Sequence, residues 1–115
     1  MRLEAKKYLY DIQQAASLIV QFTEAKTFAD YQQDSMLRLA VERALTIIGE
    51  ALSQLAKLDS ALAAQFSEYQ RIIAFRNVLI HSYAEIDDRI VWDVIEQKLP
   101  ALHQQAIRLI DQSPI

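Results

Sequence analysis

The sequence contains no cysteine, only one glycine and only two prolines among its 115 residues. Without cysteine, neither disulfide bonds nor thiolate metal ligands can form. Glycine and proline supply many of the turns that a β-sheet needs, so their scarcity predicts a mostly helical chain. No apolar run approaches the roughly 18 residues of a membrane span, and the N-terminus lacks the apolar core and cleavage site of a signal peptide. We therefore expect a soluble, cytoplasmic protein.

The overall composition is that of a globular protein. Apolar residues make up 52% of the sequence and charged residues 23%, which is enough apolar material for a packed core. A chain of this length predicts one domain, residues 1–115. The net charge is −3, whereas nucleic-acid-binding proteins usually carry a basic patch. A nucleic-acid site in this protein would have to gather its cations in one cleft.

Apolar residues that recur at helical spacing predict an all-α fold, an up-down bundle of four long helices with one short helix. Good N-caps stand before three of them: Asp34 or Ser35, the pair Asp59-Ser60, and Asp87. Pro100 has no amide hydrogen, so the last helix should kink or restart there. The expected ranges are about 3–24, 34–58, 59–66 (the short helix), 68–82 and 88 to the end.

The stretch from Arg71 to Tyr83 departs from an ordinary amphipathic helix. Its apolar side chains cover more than half of the helix circumference, and Arg76 falls in the middle of that apolar arc. Burying an arginine is costly unless its head reaches a carboxylate, a cavity or a second chain. Asn77 and His81, four residues apart, share the narrow polar strip. This combination of residues points to a functional site.

The residue types in this stretch suit the cleavage of RNA without a metal ion. Arg76 carries a permanent charge on a planar fork that matches phosphate, and His81 can move protons near neutral pH. One base takes the proton of the ribose 2′-hydroxyl, an acid protonates the leaving 5′-oxygen, and a guanidinium neutralises the charge on phosphorus. Asn77 could orient the phosphate or His81, or could only satisfy a helix end.

The spacing of the two residues restricts how they can act together. Residues five apart on a straight helix point about 140° away from each other. Arg76 and His81 of one copy therefore cannot easily close on one phosphate. Either the helix ends or distorts near His81, or two copies of the helix face each other across a two-fold axis.

The run 76–83 has the form R-x4-H-x-Y, and it resembles the motif of HEPN-domain toxins of the HepT type. The similarity covers roughly the whole chain. One difference lies in 66–71, which lacks the proline and tryptophan common there in relatives. Similar segments are Tyr8–Ile12, 40–43, Ile47–Ala51, Val91-Trp92 and 99–102.

This resemblance implies an HEPN-like helical fold, a homodimer with both motifs facing one cleft, and RNA as the substrate. Arg76 and His81 match the catalytic positions, and the expected product is a 2′,3′-cyclic phosphate. It further implies the toxin of a type VII-like toxin–antitoxin pair. In such pairs a nucleotidyltransferase antitoxin of the MntA type silences the toxin by AMPylation of the motif tyrosine, which corresponds to Tyr83. The resemblance implies no cofactor, and it is compatible with larger assemblies of dimers.

Several residues also have a purely structural interpretation. Arg76 could be a buried arginine paired with a carboxylate such as Glu50 or Glu42, and His81 could be a hydrogen-bonded structural histidine. Tyr83 could only cap the helix end. Gly49, inside a helix, should allow the close approach of another helix, unless it is a tolerated surface glycine.

Other candidates have weaker chemical signals. Asp87 and Asp88 are better explained as a cap and a first-turn acid than as a catalytic pair. His103 should lie on a solvated face, and two histidines without a carboxylate partner do not make a metal site. The aromatic residues Tyr8, Tyr10 and Trp92 are predicted to lie in the core or an interface.

Two functions therefore compete at the level of the sequence. The first is a ribonuclease toxin; the second is a non-catalytic helical module that binds a nucleotidyltransferase partner or nucleic acid. We expect a symmetric dimer in which the motif helix and the region near Gly49 form the interface, because the apolar arc around Arg76 is too wide for one bundle face.

Overall fold

The computed structural model describes residues 1–112, with Tyr83 described by its backbone alone. The regular structure in this range is entirely helical, which confirms the all-α prediction. A short 3₁₀ turn, Tyr83–Glu85, follows the motif helix. The α-helices are α1 Leu3–Thr23, α2 Phe28–Gln33, α3 Ser35–Leu58, α4 Ser60–Ala63, α5 Tyr69–His81, α6 Asp88–Gln97 and α7 Leu99–Asp111.

Three aspartates start helices as predicted. The carboxylate of Asp34 accepts a hydrogen bond from the Leu37 amide at 3.1 Å at the start of α3. Asp59 caps the short helix α4 at 3.1 Å, and Asp87 caps α6 through the Arg89 amide at 2.8 Å. Each carboxylate satisfies one of the amide groups that have no partner inside the first helical turn.

The segment after α1 contains a helix that the sequence did not predict. Thr27 and Asp30 form a reciprocal pair, in which each side chain accepts a hydrogen bond from the other residue's amide, at 3.1 and 2.8 Å. These hydrogen bonds to Thr27 lower the pKa of Asp30. The pair is the capping box of the six-residue helix α2.

The sequence predicts a kink or a restart at Pro100, and the structure has a restart just before it. Helix α6 ends at Gln97 and α7 begins at Leu99, with Lys98 between them in right-handed helical conformation. Pro100 lies in the first turn of α7, where its missing amide hydrogen costs nothing. One kinked helix is thus replaced by two successive helices.

The core lies between α1, α3 and α7, and α5 packs on α3. The predicted apolar face of α3 is buried as expected. Only Leu79 among the residues of α5 is buried, so the motif helix lies at the surface of the bundle. Within residues 1–112, no helix is both long and apolar enough to cross a membrane.

Long-range contacts show where the side chains of Trp92 and His103 lie. Trp92 is buried, with its ring 5.4 Å from that of Tyr31, as expected for a core aromatic residue. His103 was predicted to be solvated, and that prediction is wrong. Its Nε2 lies 3.0 Å from the hydroxyl of Ser17, so this half-buried histidine joins α7 to α1.

Candidate active site at the motif helix

Glu68 fixes the start of the motif helix. Its φ of 58° lies in the left-handed region, which is uncommon for a residue other than glycine. Its carboxylate accepts from Lys98 at 2.6 Å and from Arg71 at 3.1 Å. Chiefly through the Lys98 contact, the pKa of Glu68 falls below its usual range. These contacts hold the first turn of α5 to the junction between α6 and α7.

Gly49 is the point of closest approach between α3 and α5. A Cβ atom placed on Gly49 would lie 2.3 Å from Cβ and 2.7 Å from Cγ of Arg76, and 3.5 Å from the carbonyl oxygen of Ile72. The stem of Arg76 therefore occupies the space that any other residue would fill. The close approach predicted from this mid-helix glycine is confirmed, and the helix that benefits is the one that carries the motif.

The head of Arg76 pairs with the residue next to that glycine. Its Nη1 lies 3.3 Å from Oε2 of Glu50, and its side chain is 17% exposed against 52% for Glu50. Its Nε is buried without a partner among the described residues. Of the two carboxylates proposed as counter-ions, the partner is Glu50. Glu42 is half-buried elsewhere on α3, where burial and Asp88 raise its pKa.

His81 and Asn77 lie on a different side of the helix. Both side chains are exposed, whereas Arg76 faces α3. Helix α5 is continuous from Tyr69 to His81, and Ser82 is its C-cap. No distortion therefore brings Arg76 and His81 together within one copy, and the angle of about 140° between residues five apart remains.

Tyr83 does not continue this helix. The residue after His81, Ser82, has φ −130° and ψ 32°, and Tyr83 begins a separate 3₁₀ turn. Because α5 ends at His81, Tyr83 is not part of the helix that carries Arg76. The side chain of Tyr83 lies outside the described part of the structure.

Part of the apolar arc of α5 faces outward. Val78 is 46% exposed and Ile80 is 41% exposed, while Ile72, Ile73 and Phe75 are partly buried against the core. The exposed pair is available to a second copy. Gly49 is not, because it is buried by Arg76 of its own chain. The dimer prediction named the region of α3 near Gly49, and the burial of Gly49 itself does not test it.

Two hollows flank the motif helix. The first, which we call the apolar groove, has a volume of about 640 Å³ and is bounded by α3, α5, α6 and α7, including Ile72 and Phe75. The second, which we call the side recess, has a volume of about 330 Å³. The side recess lies beside the Arg76–Glu50 pair, since Glu50 forms part of its wall. Its lining residues are Lys7, Tyr8, Asp11, Arg43, Thr46, Ile47, Glu50, Ala51, Gln54 and Ile80.

The side recess is lined by residues from three helices, α1, α3 and α5. Sequence reasoning placed Tyr8 among core or interface aromatics and did not connect Arg43 with Arg76. Tyr8 and Arg43 lie beside the motif helix only because of how α1, α3 and α5 pack, and no local sequence pattern predicts that packing. In the part of the chain that the structure describes, no cluster of three or more histidine, aspartate or glutamate side chains is placed to hold a metal ion.

The sequence matches a known protein family. Residues 12–109 match the family model described as Ribonuclease HepT-like. A protein from Thermococcus cleftensis, named as a probable ribonuclease HepT, is 34% identical over 89% of this chain and 92% of its own length. A protein from Methanocaldococcus jannaschii, provisionally named an RNase, is 31% identical over 89% of this chain and 93% of its own length. No solved structure matches the chain.

Proposed function

Since this chain belongs to the ribonuclease HepT-like family, we propose that it is an endoribonuclease whose active site contains Arg76 and His81. The observation that carries the proposal is the fixed position of Arg76. The side-chain carbons of Arg76 fill the space over Gly49, and its Nη1 lies 3.3 Å from Oε2 of Glu50. A guanidinium that the folded protein already holds in place can stabilise the negative charge that develops on the phosphate, and it does not have to reorganise during the reaction.

The proposed reaction is an internal transfer that needs no water in its first step. His81 removes the proton from the 2′-hydroxyl, and the 2′-oxygen attacks the adjacent phosphorus. The bond from phosphorus to the 5′-oxygen breaks, and an acid delivers a proton to that oxygen. The products are a 2′,3′-cyclic phosphate and a 5′-hydroxyl. Arg76 neutralises the non-bridging oxygens, while Asn77, exposed one helical turn before His81, positions the phosphate.

The active site of the proposal is shared by two copies of the chain. The regular helix between Arg76 and His81 supports this arrangement, because one copy presents them on different sides. A second copy supplies the other histidine, so that one histidine acts as base and the other as acid. The exposed side chains of Val78 and Ile80 provide apolar surface for the contact. Light scattering should give the mass of a dimer, and Val78→Glu should shift it towards the monomer.

Cleavage by two variants tests the catalytic assignment. Arg76→Ala and His81→Ala should each reduce cleavage of RNA by a factor of about 10² or more, because each removes a group that acts in the transition state. EDTA should have no effect. Circular dichroism should show nearly unchanged helix content in both variants. Full activity of His81→Ala, or loss of wild-type activity in EDTA, contradicts the mechanism.

The biological role in this proposal is that of a toxin controlled at Tyr83. A nucleotidyltransferase antitoxin transfers AMP to the phenol oxygen, with release of pyrophosphate from ATP. The position of Tyr83, two residues after His81 at the end of the motif, supports this assignment. The added phosphodiester brings negative charge to the residue two positions after His81 and repels the RNA backbone.

Co-expression with a nucleotidyltransferase of the MntA type tests the control step. Intact mass should increase in steps of one AMP, and Tyr83→Phe should abolish the increase while the variant remains toxic. Modification and silencing of Tyr83→Phe would show that another residue is the acceptor.

The Arg76–Glu50 ion pair also favours a second candidate function. A structural arginine would make the same contact, so the chain could be a non-catalytic module that binds a nucleotidyltransferase or nucleic acid. The cleavage assay separates the two functions. A module of this kind leaves RNA intact at every protein concentration, and its Arg76→Ala variant loses stability rather than activity.

A further inference from the structure

The side recess has the composition of a nucleotide site. One wall is formed by the half-buried ring of Tyr8 on α1, together with Ile47 on α3 and Ile80 at the end of α5. Bases stack on such aromatic and apolar surfaces regardless of their sequence. Gln54 lies on the same lining, and its amide nitrogen donates to Glu50 at 3.3 Å. Its amide oxygen is an acceptor suited to the edge of a base.

The charges around the side recess favour a phosphate. Lys7 and Asp11 form a pair at 3.4 Å, and Glu50 is paired with Arg76. Arg43 forms no ion pair with any described side chain and is exposed at the recess. The lining thus holds two cations, Lys7 and Arg43, and two carboxylates, Asp11 and Glu50. Since both carboxylates have another cationic partner, the guanidinium of Arg43 is the charge left for an anionic ligand. A guanidinium without a carboxylate partner can attract an anionic ligand even on an acidic protein.

The location of the side recess connects it to the reaction. Glu50 both lines the recess and holds Arg76, and Ile80 immediately precedes His81. A nucleotide in the recess would therefore lie beside the phosphate that Arg76 contacts. The apolar groove lies on the other flank of α5, where its wall includes Ile72 and Phe75 but neither Glu50 nor Ile80.

We propose that the side recess binds one nucleotide of the RNA substrate, adjacent to the phosphate that is cleaved. Its base stacks on Tyr8, and its own phosphate contacts Arg43. This assignment rests on the proposed ribonuclease function and names the residues that hold the substrate in register. It makes Tyr8 and Arg43 binding residues, with no part in proton transfer.

Binding of a short 2′-O-methyl RNA measures the site directly, because the blocked 2′-oxygen prevents cleavage. Tyr8→Leu should raise the dissociation constant about tenfold, as expected for the loss of one stacked base. Tyr8→Phe keeps the ring and should bind like the wild type. The matched control is Tyr10→Leu, since Tyr10 is 48% exposed on α1 and does not line the recess.

The proposed contact between Arg43 and a phosphate is tested by the salt dependence of binding. Arg43→Gln should weaken binding and reduce the slope of log K against log salt by about 0.7, the value for one phosphate contact on a single strand. Arg71→Gln is the matched control, because Arg71 lines the apolar groove and not the side recess. On a cleavable RNA, Tyr8→Leu should raise KM and change which nucleotides flank the cut, with a much smaller effect on kcat.

The outcomes separate this proposal from the proposed function. Equal affinity of Tyr8→Leu, Arg43→Gln and wild type, with the wild type active, overturns the nucleotide site and leaves the ribonuclease standing. A wild type that neither binds nor cleaves RNA overturns both. Loss of affinity in Tyr8→Leu that Tyr8→Phe does not restore also contradicts the stacking role, because the ring alone should suffice.

Discussion

Replacing Gly49 with alanine tests how closely the active site depends on the packing of α3 against α5. The new methyl group would lie 2.3 Å from Cβ of Arg76 and 2.7 Å from its Cγ. A change of rotamer cannot relieve the first contact, because Cβ is fixed to the backbone. Helix α5 must therefore move away from α3 by roughly 1 Å or more before the carbons reach normal contact distances of about 3.5–4.0 Å.

The expected effects on stability and activity differ in size. Overpacking a tight contact costs about 1–3 kcal/mol, while alanine in a helix is about 1 kcal/mol more favourable than glycine. The free energy of unfolding should therefore fall by only about 0–2 kcal/mol. Activity should fall much further, since a displacement of about 1 Å can cost about 100-fold in rate. Arg76 moves with α5 and no longer meets the phosphate correctly.

Urea unfolding and the kcat/KM of RNA cleavage measure the two effects on one preparation. Leu39→Ala, at an exposed position of the same helix α3, is the control and should retain wild-type cleavage. The reasoning is refuted if Gly49→Ala cleaves RNA like the wild type. It is equally refuted if the variant gains the full stability that alanine brings to a helix, because that gain would mean that nothing is displaced.

Three further predictions concern the neighbouring contacts. Glu50→Gln should lower kcat more than it raises KM, while changing the free energy of unfolding by about 1 kcal/mol or less, because the carboxylate is half-exposed; cleavage and urea unfolding measure both. The pKa of Glu68 is lowered in the folded state, so its stabilising effect is present above the ordinary value of 4.5 and is lost as the pH falls through the folded pKa. Lys98→Gln should flatten this acid dependence in urea titrations, and an unchanged dependence would exclude the contact as its cause. Asp34→Ala should cost about 1 kcal/mol of stability by removing the cap of α3, whereas Ser35→Ala should cost far less.

Local rules predicted most of the helices. The caps at Asp34, Asp59 and Asp87 depend only on a side chain and the amides two or three residues later, so the sequence alone reveals them. The restart at Pro100 follows from the geometry of proline in the same way. Helix α2 is not predicted by the sequence pattern, because six residues are too few for a helical period to show.

The candidate site was predictable only in part. The type and spacing of Arg76, Asn77 and His81 marked the motif, and the mid-helix position of Gly49 predicted a close approach. The choice between Glu50 and Glu42 depends on the register of α5 along α3, which no local pattern specifies. The hydrogen bond between His103 and Ser17 joins residues 86 positions apart. Contacts of that kind follow from tertiary packing and are not visible in the sequence.

The central claim is that this protein cleaves RNA by attack of the 2′-hydroxyl, with Arg76 and His81 in place of a metal ion. The most direct test is to identify the ends of the products by mass spectrometry, after cleavage of an RNA of known sequence with and without EDTA. We predict 2′,3′-cyclic phosphate and 5′-hydroxyl ends in equal yield under both conditions, and no products from His81→Ala. Products with 3′-hydroxyl and 5′-phosphate ends, or cleavage that EDTA abolishes, would contradict it.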